Sequence, residues 1–333
     1  MRVLVVGANG QLGARTCQEL LHRGHEVRGS VRAADRAPDV AAAGVELVEA
    51  DVATGSGVEA ALDGVEGVLL SANAVLPRAG DSPRAFHDGA LRLVDAAEAA
   101  GVRRFVLPSV PVAAIDDEVP PIRTRRERED RLATSPMETV VVRLPPFCDV
   151  WLGLVGSSLP TRGEAHASLD RPSPFLRRFR RLTGTAVERR GVMLVPGPAT
   201  SRHAFITVQD AASALVTALE RHPSPVPVVE VGGPEVLSWR EVAGIFSEVL
   251  GRDVRVLTTP GIVYAAMSTL LRPVAEVPSS TMALNRFMAA SQSPWKPGGG
   301  LVADPGAMTT VRSFLAAKAG LPASEPAPPT GKG

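Results

Sequence analysis

Gly7, Gly10 and Gly13 follow the apolar run Val3 to Val6 in the stretch RVLVVGANGQLG. The chemistry of that spacing is phosphate binding. A strand ending at Val6 must turn sharply into a helix: Gly7 suits the turn, Gly10 lets backbone approach a pyrophosphate, and Gly13 lets the helix lie close on the strand. N–H groups at the helix start then face the anion, so Asn9, Gln11 and Leu12 join the glycines as cofactor-site candidates. Glycines also serve ordinary turns. Here a strand precedes them, an amphipathic helix (Leu12, Cys17, Leu20, Leu21) follows, and a second strand arrives at Glu26 to Val31, which favours a dinucleotide site.

The end of that second strand carries Ser30, Val31 and Arg32. An NAD site places an acidic residue there to accept from the ribose 2′-hydroxyl. Arginine cannot accept, but it pairs with a 2′-phosphate through two N–H groups. The expected cofactor is therefore NADP(H) in preference to NAD(H), with Arg36 assisting; a solvated loop arginine is the alternative reading of Arg32. Arg28 points the same way only if the strand is regular.

The elements that must position these residues alternate. Strands are expected at Val3 to Val6, Glu26 to Val31, Val45 to Glu49, Gly67 to Ser71, Arg104 to Leu107 and Thr139 to Leu144, with helical segments between. That order predicts an α/β fold, a Rossmann-type doubly wound parallel sheet with a smaller, discontinuous C-terminal lobe. Ligands on such sheets lie beyond the carboxyl ends of the strands, which selects Asp51, Val52, Ser71, Ala72, Asn73, Pro108, Ser109, Pro145 and Phe147 as well. Further on, a strand is expected at Ala204 to Val208, a helix at Gln209 to Glu220, a strand at Val228 to Val231, a Ser238-capped helix to Leu250, and a strand at Val254 to Leu257. Residues 1–150 are expected to form the nucleotide domain, joined again by about 204–232. Residues 151–320 should form mainly a substrate lobe, and 321–333, ending ASEPAPPTGKG, a disordered tail. The basic cluster FLRRFRRL at 175–182 is expected to be solvated.

The 333 residues, 45% hydrophobic, can fill a real core, and a net charge of +1 implies no general attraction to nucleic acid or membrane. Only Cys17 and Cys148 are present, which excludes a disulfide framework and fits a reducing compartment. A strand beginning at residue 2 leaves no room for a signal peptide, and no apolar run is long enough to span a bilayer, so a cytoplasmic monomer or homodimer is expected. No metal-ligand spacing appears.

GANGQLG, SVR at 30–32, EADV at 49–52, LVDAAEAAGVRRFVLPS at 93–109, VVRLPPF at 141–147, FITVQDAASALVTAL at 205–219 and VGGPEVLSWREVAGIFSEVLGR at 231–252 resemble the atypical short-chain dehydrogenase/reductase proteins of the NmrA-like, NAD(P)H-binding group. The resemblance runs over roughly residues 1–260. GANGQLG alone also resembles the dTDP-4-dehydrorhamnose reductases; the later segments fit the NmrA-like proteins better. The resemblance implies a cofactor lying across the glycine turn, with substrate held between sheet and C-terminal lobe. It also implies an adenine contact at Asp51 and Val52, although Asp51 equally suits a helix cap, and places Asn73 and Ser109 near ribose and nicotinamide.

One departure governs the chemistry. Most short-chain dehydrogenases use a Tyr followed four residues later by Lys, the ammonium lowering the phenol pKa so that it can protonate a carbonyl. Aligning RRERED RLATSPMETVVVRLPPF with the family puts Pro121 at the tyrosine position and Arg125 at the lysine position; the sole tyrosine is Tyr264, and no lysine precedes Lys296. Arg125 either bonds ribose or pairs with Glu129 on a solvated helix face. Candidates for proton transfer are Ser109 and His203, with the acidic loop Asp116, Asp117 and Glu118 reading as solvated and His87, His166 and Cys148 weaker. The favoured function is an NADPH-dependent reductase of a small, apolar organic substrate with a nonstandard proton donor. A nucleotide-binding redox sensor with a protein partner and a non-redox isomerase, cyclase or lyase are the alternatives. Trp151, near Pro145 and Phe147, suits a hydrophobic ligand or a core.

Overall fold

The structure, a computed structural model, describes residues 1–73, 81–170, 174–221, 228–273 and 275–321. Its strands are β1 (Arg2–Val6), β2 (Glu26–Val31), β3 (Glu46–Glu49), β4 (Gly67–Leu70), β5 (Arg104–Ser109), β6 (Glu138–Arg143), β7 (Val192–Pro196), β8 (Arg202–His203), β9 (Val228–Glu230), β10 (Leu237–Ser238) and β11 (Arg255–Thr259). Seven of them form one parallel sheet in the order β3-β2-β1-β4-β5-β6-β9, the doubly wound arrangement that the sequence predicts. The register sets Val6 beside Ser30 on one side and Leu70 on the other. The glycine turn, Arg32 and Ser71 therefore leave the sheet along one edge.

The helices are α1 (Gln11–His22), α2 (Pro38–Ala42), α3 (Val58–Leu62), α4 (Pro83–Ala99), α5 (Pro120–Ala133), α6 (Cys148–Leu154), α7 (Pro174–Thr183), α8 (Ala186–Arg190), α9 (Val208–Glu220), α10 (Trp239–Leu250), α11 (Gly261–Leu271), α12 (Glu276–Ala290) and α13 (Val311–Ala319). Strand side chains alternate between the two faces. Val3 and Val5 pack beneath α1 and α9, while Leu4 and Val6 pack beneath α3 and α4. Each buried side chain of this size contributes about 1.5–3 kcal/mol relative to exposure. α9 and β9 thus return to the sheet from beyond residue 200.

A second core gathers Phe205, Trp239 and Phe246 between α6, α10 and α13, with the small pairs β7–β11 and β8–β10 at its edge. The cap of α10 is a reciprocal box between Ser238 and Glu241, as its sequence predicts. The expected strand Ala204 to Val208 is corrected. Only Arg202–His203 pairs, with Leu237–Ser238, while Ile206 makes an isolated bridge to Phe147 and Val208 already begins α9. Ala204, Phe205 and Ile206 are fully buried, so the apolar run marks core instead of a sheet position. α5 begins at Pro120, before the charged stretch, because proline in a first helical turn lacks only an N–H that would be unpaired anyway. Of the expected tail, 322–333 lie outside the described residues.

Candidate active site

The glycine turn is built by close contacts. Gly7 has φ +84°, a left-handed conformation that side chains resist, and a Cβ there would lie 2.8 Å from Ala72 Cβ. A Cβ on Gly13 would fall 2.2 Å from the Gly7 carbonyl oxygen. Gly13 therefore shapes the turn from beneath. The N–H groups of Gly7 and Ala8 both donate to the Ser30 carbonyl at 3.1 Å, and Ser71 Oγ donates to the Val6 carbonyl at 2.7 Å, so three strand ends are laced together. α1 starts behind Gly10 with no side-chain cap and no acidic residue in its first turn. Its free N–H groups and positive dipole end suit an anion.

A cavity of about 500 Å³ opens from this turn. Gly7, Asn9, Gly10, Gln11 and Leu12 line one end, and Arg32, Arg36, Asp51 and Val52 line the flank formed by β2 and β3. Ser71, Ala72, Asn73, Pro108 and Ser109, at and just beyond the ends of β4 and β5, line it as well, as do Arg125, Pro145, Phe147 and Trp151. Arg32 Nη1 pairs with Asp81 Oδ1 at 2.5 Å, a partner not evident from the sequence. Asp51 accepts from the Ala53 N–H at 2.9 Å in a local turn, whereas α3 is preceded by Gly57, so Asp51 caps no helix. Arg28 turns away, buried against Glu46 and the carbonyls of Ala60, Ala61 and Asp63.

At the end of β5, Ser109 Oγ donates to Glu129. Glu129 also receives Arg143 at 2.7 Å and Arg126 at 2.5 Å. Burial pushes the Glu129 carboxyl upward, but the hydrogen bonds from Arg143 and Ser109 and the charges of Arg126 and Arg143 outweigh it and hold the carboxyl below its ordinary range. Glu129 is thus ionised and fully engaged. It forms no ion pair with Arg125, which has no carboxylate partner among the described residues. Burial, with the neighbouring Arg128 and Arg126 charges, presses the Arg125 pKa down to about 9, and burial brings Arg128 to about 10. Both remain cationic at neutral pH.

His203 does not reach the cavity. Its ring is fully buried between Phe205 and Trp239, with centroids 5.7 and 5.8 Å away, and Nδ1 lies 3.0 Å from Ser293 Oγ. Burial lowers its pKa to about 4, so it is a neutral core residue. Asp116 is likewise no solvated acid; it is buried and paired with Arg126 at 2.8 Å, while Glu118 pairs with Arg286. Cys148 is fully buried, and its thiol pKa is pushed well above the ordinary value. Tyr264 sits on α11, away from the cavity walls. Sequence reasoning missed Arg128 and Phe86, which line the cavity, and of the segment 164–168, which lies against the glycine turn, it named only His166, as a weak proton-transfer candidate. In that segment Glu164 pairs with Arg15 at 3.0 Å, His166 bridges the Asn9 carbonyl and Asp39, and the Ser168 N–H donates to Gln11 Oε1 at 3.0 Å. The signal for Arg128 was its place three residues after Arg125, on the same helix face.

A parallel sheet with a glycine cradle, an uncapped helix start and a cleft along its carboxyl edge defines a dinucleotide-binding Rossmann protein. Residues 7–143 match a family model described as NAD(P)H-binding. Its sequence is 30% identical over 159 residues to the photosystem II assembly factor Ycf39 of Synechocystis, covering 47% of each chain. The chain thus spans about half the length of that relative. To the NAD(P)H azoreductase of Xenophilus azovorans it is 26% identical over 253 residues, 76% of this chain and 75% of that one. The fold is shared with the Citrobacter triphenylmethane reductase complexed with NADP(H), at a TM-score of 0.68 and 18% identity over 96% of this chain and 100% of that one. No helix among the described residues is long and apolar enough to cross a membrane, and no cluster of metal-ligating side chains occurs among them.

Proposed function

We propose that the protein is an NADPH-dependent reductase of a small organic substrate with an apolar body. The observation that carries this reading is one cavity of about 500 Å³ lined both by the glycine cradle and by Ser109, Arg125, Phe147 and Trp151, so that cofactor and substrate sites share a cleft. The cradle fits the cofactor, since a Cβ on Gly7 or Gly13 would collide with backbone or Ala72. NADPH, when bound, supplies a hydride. α1 meets the pyrophosphate, and Arg32 with Arg36 meets the 2′-phosphate, for which Arg32 must exchange Asp81 for the phosphate. Asp51 and Val52 flank the adenine. Arg125, at the position of the family lysine, bonds ribose with a guanidinium that has no carboxylate partner among the described residues.

Ser109 donates its hydrogen bond to Glu129 and accepts one from Arg126 at 3.4 Å, so its oxygen can offer the cleft an acceptor and not a proton. It holds a donor group of the bound molecules in place, and the proton that completes reduction is taken from water, because Pro121 offers none. The azoreductase relative and the dye-reductase neighbour make such substrates the first to try. Purified protein should oxidise NADPH when a panel of azo, quinone and triphenylmethane compounds is supplied, faster than NADH at equal concentration. Binding of both redox forms with no turnover across the panel would instead select the sensor reading, which Pro121 in place of tyrosine favours.

A further inference from the structure

Arg128 has no role in the cofactor account. It projects from α5 one turn beyond Arg125 and is only 7% exposed, yet it lines the cleft. Its Nε donates to the Thr124 carbonyl at 3.0 Å, which draws the side chain back along the helix, and its guanidinium stands 5.7 Å from the centre of the Phe86 ring. No carboxylate of the described residues pairs with it, although nearby Glu127 is within reach of His87 and Arg123, and Glu129 is consumed by Arg126 and Arg143. Burying a guanidinium without a direct ion-pair partner is costly, and the charges of nearby Glu127 and Glu129 offset only part of the burial that lowers its pKa. A ring face offsets part of that cost, and an anion offsets more. Charge in the cleft points the same way, with four arginines on its walls (Arg32, Arg36, Arg125, Arg128) against two aspartates (Asp51, Asp81).

The anionic parts of the cofactor are already matched: pyrophosphate at the glycine cradle and 2′-phosphate at Arg32 and Arg36. We infer that Arg128, backed by Arg125, is an anion-binding subsite for the substrate, which is an aromatic compound bearing a carboxylate or sulfonate. Its planar fork takes two oxygens of such a group at once, while Phe86 and the apolar wall at Phe147 and Trp151 receive the ring system. A lysine in its place keeps the charge and loses the fork.

This inference rests on the proposed reductase reading, and a binding experiment separates the two. The full chain is titrated calorimetrically with 4-(phenylazo)benzoate and with its methyl ester, each with and without saturating NADP⁺, and NADP⁺ affinity is measured alone. The acid should bind at least about tenfold more tightly than the ester, the scale of one charge-assisted contact. Arg128→Gln should erase that preference and Arg128→Lys should keep part of it, with NADP⁺ affinity moving less than about twofold. Equal binding of acid and ester to the wild-type chain overturns the inference, as does an Arg128→Gln loss that falls equally on NADP⁺, which assigns the residue to a cofactor phosphate. Should Arg128→Gln fail to fold, Arg128→Lys and the wild-type acid-to-ester ratio decide. Failure of NADP⁺ to bind strikes the reductase reading, and the acid-to-ester ratio of the free chain still tests the subsite.

Discussion

Arg32 shows how a neighbour alters a residue's meaning. Taken alone at the end of β2 it suits the 2′-phosphate of the proposed cofactor; paired with Asp81 at 2.5 Å, it would have to release a carboxylate first. Removing that competitor should favour the phosphate. Asp81→Asn is expected to tighten NADPH binding by about threefold to tenfold with little change for NADH, whereas Arg32→Asp should weaken NADPH by at least about tenfold, both read by equilibrium titration. An unchanged NADPH-to-NADH ratio in both variants removes Arg32 from the cofactor site. Glu129 makes a second residue-level statement. Its folded pKa lies below the unfolded value, so the stability it contributes is complete above about pH 4.3 and is lost as pH falls through the lower folded value. Glu129→Gln leaves Arg126 and Arg143 without their shared carboxylate and should cost about 3 kcal/mol at pH 7. That deficit should shrink on acidification from pH 5 toward pH 3, measured by urea unfolding; a pH-independent deficit contradicts the charged pairing.

At the scale of elements, the site depends on backbones that meet without side chains between them. A Cβ on Gly89 in α4 would lie 1.8 Å from the Val52 carbonyl oxygen, and one on Gly13 in α1 would lie 2.2 Å from that of Gly7. Gly13→Ala and Gly89→Ala should each cost about 1–3 kcal/mol through forced backbone shifts, and Gly13→Ala should also abolish nucleotide binding; calorimetric melting and titration separate the two effects. Gly13 was legible from its spacing after β1, while Gly89 was not, because helix-to-loop contact distances leave no mark on periodicity. The six strands from β1 to β6 could be read from alternating apolar runs, and the cavity collects almost every residue picked out just beyond them. His203 went astray for the opposite reason. A histidine before an apolar run looks the same whether the run is a strand beside a cleft or, as here, buried core around Trp239. Asp81 and Arg128 take their meaning from distant partners, which a linear reading cannot supply.

For the whole molecule, the segment 164–168 ties distant parts of the chain to the glycine turn: Glu164, His166 and Ser168 reach Arg15, Asn9, Asp39 and Gln11. This strap should slow escape of a bound nucleotide more than it slows entry. His166→Ala is expected to raise the dissociation rate of NADPH about fivefold in stopped-flow fluorescence with association changed less than about twofold, since affinity differences in related complexes lie mostly in dissociation. The same geometry supplies the most direct test of the account, because Trp151 lines the cleft that a nicotinamide would enter. Titrating the protein with NADPH and with NADH while following tryptophan fluorescence should give saturable quenching by both, with NADPH at least about tenfold tighter. No saturable binding of either nucleotide, or tighter binding of NADH, contradicts it.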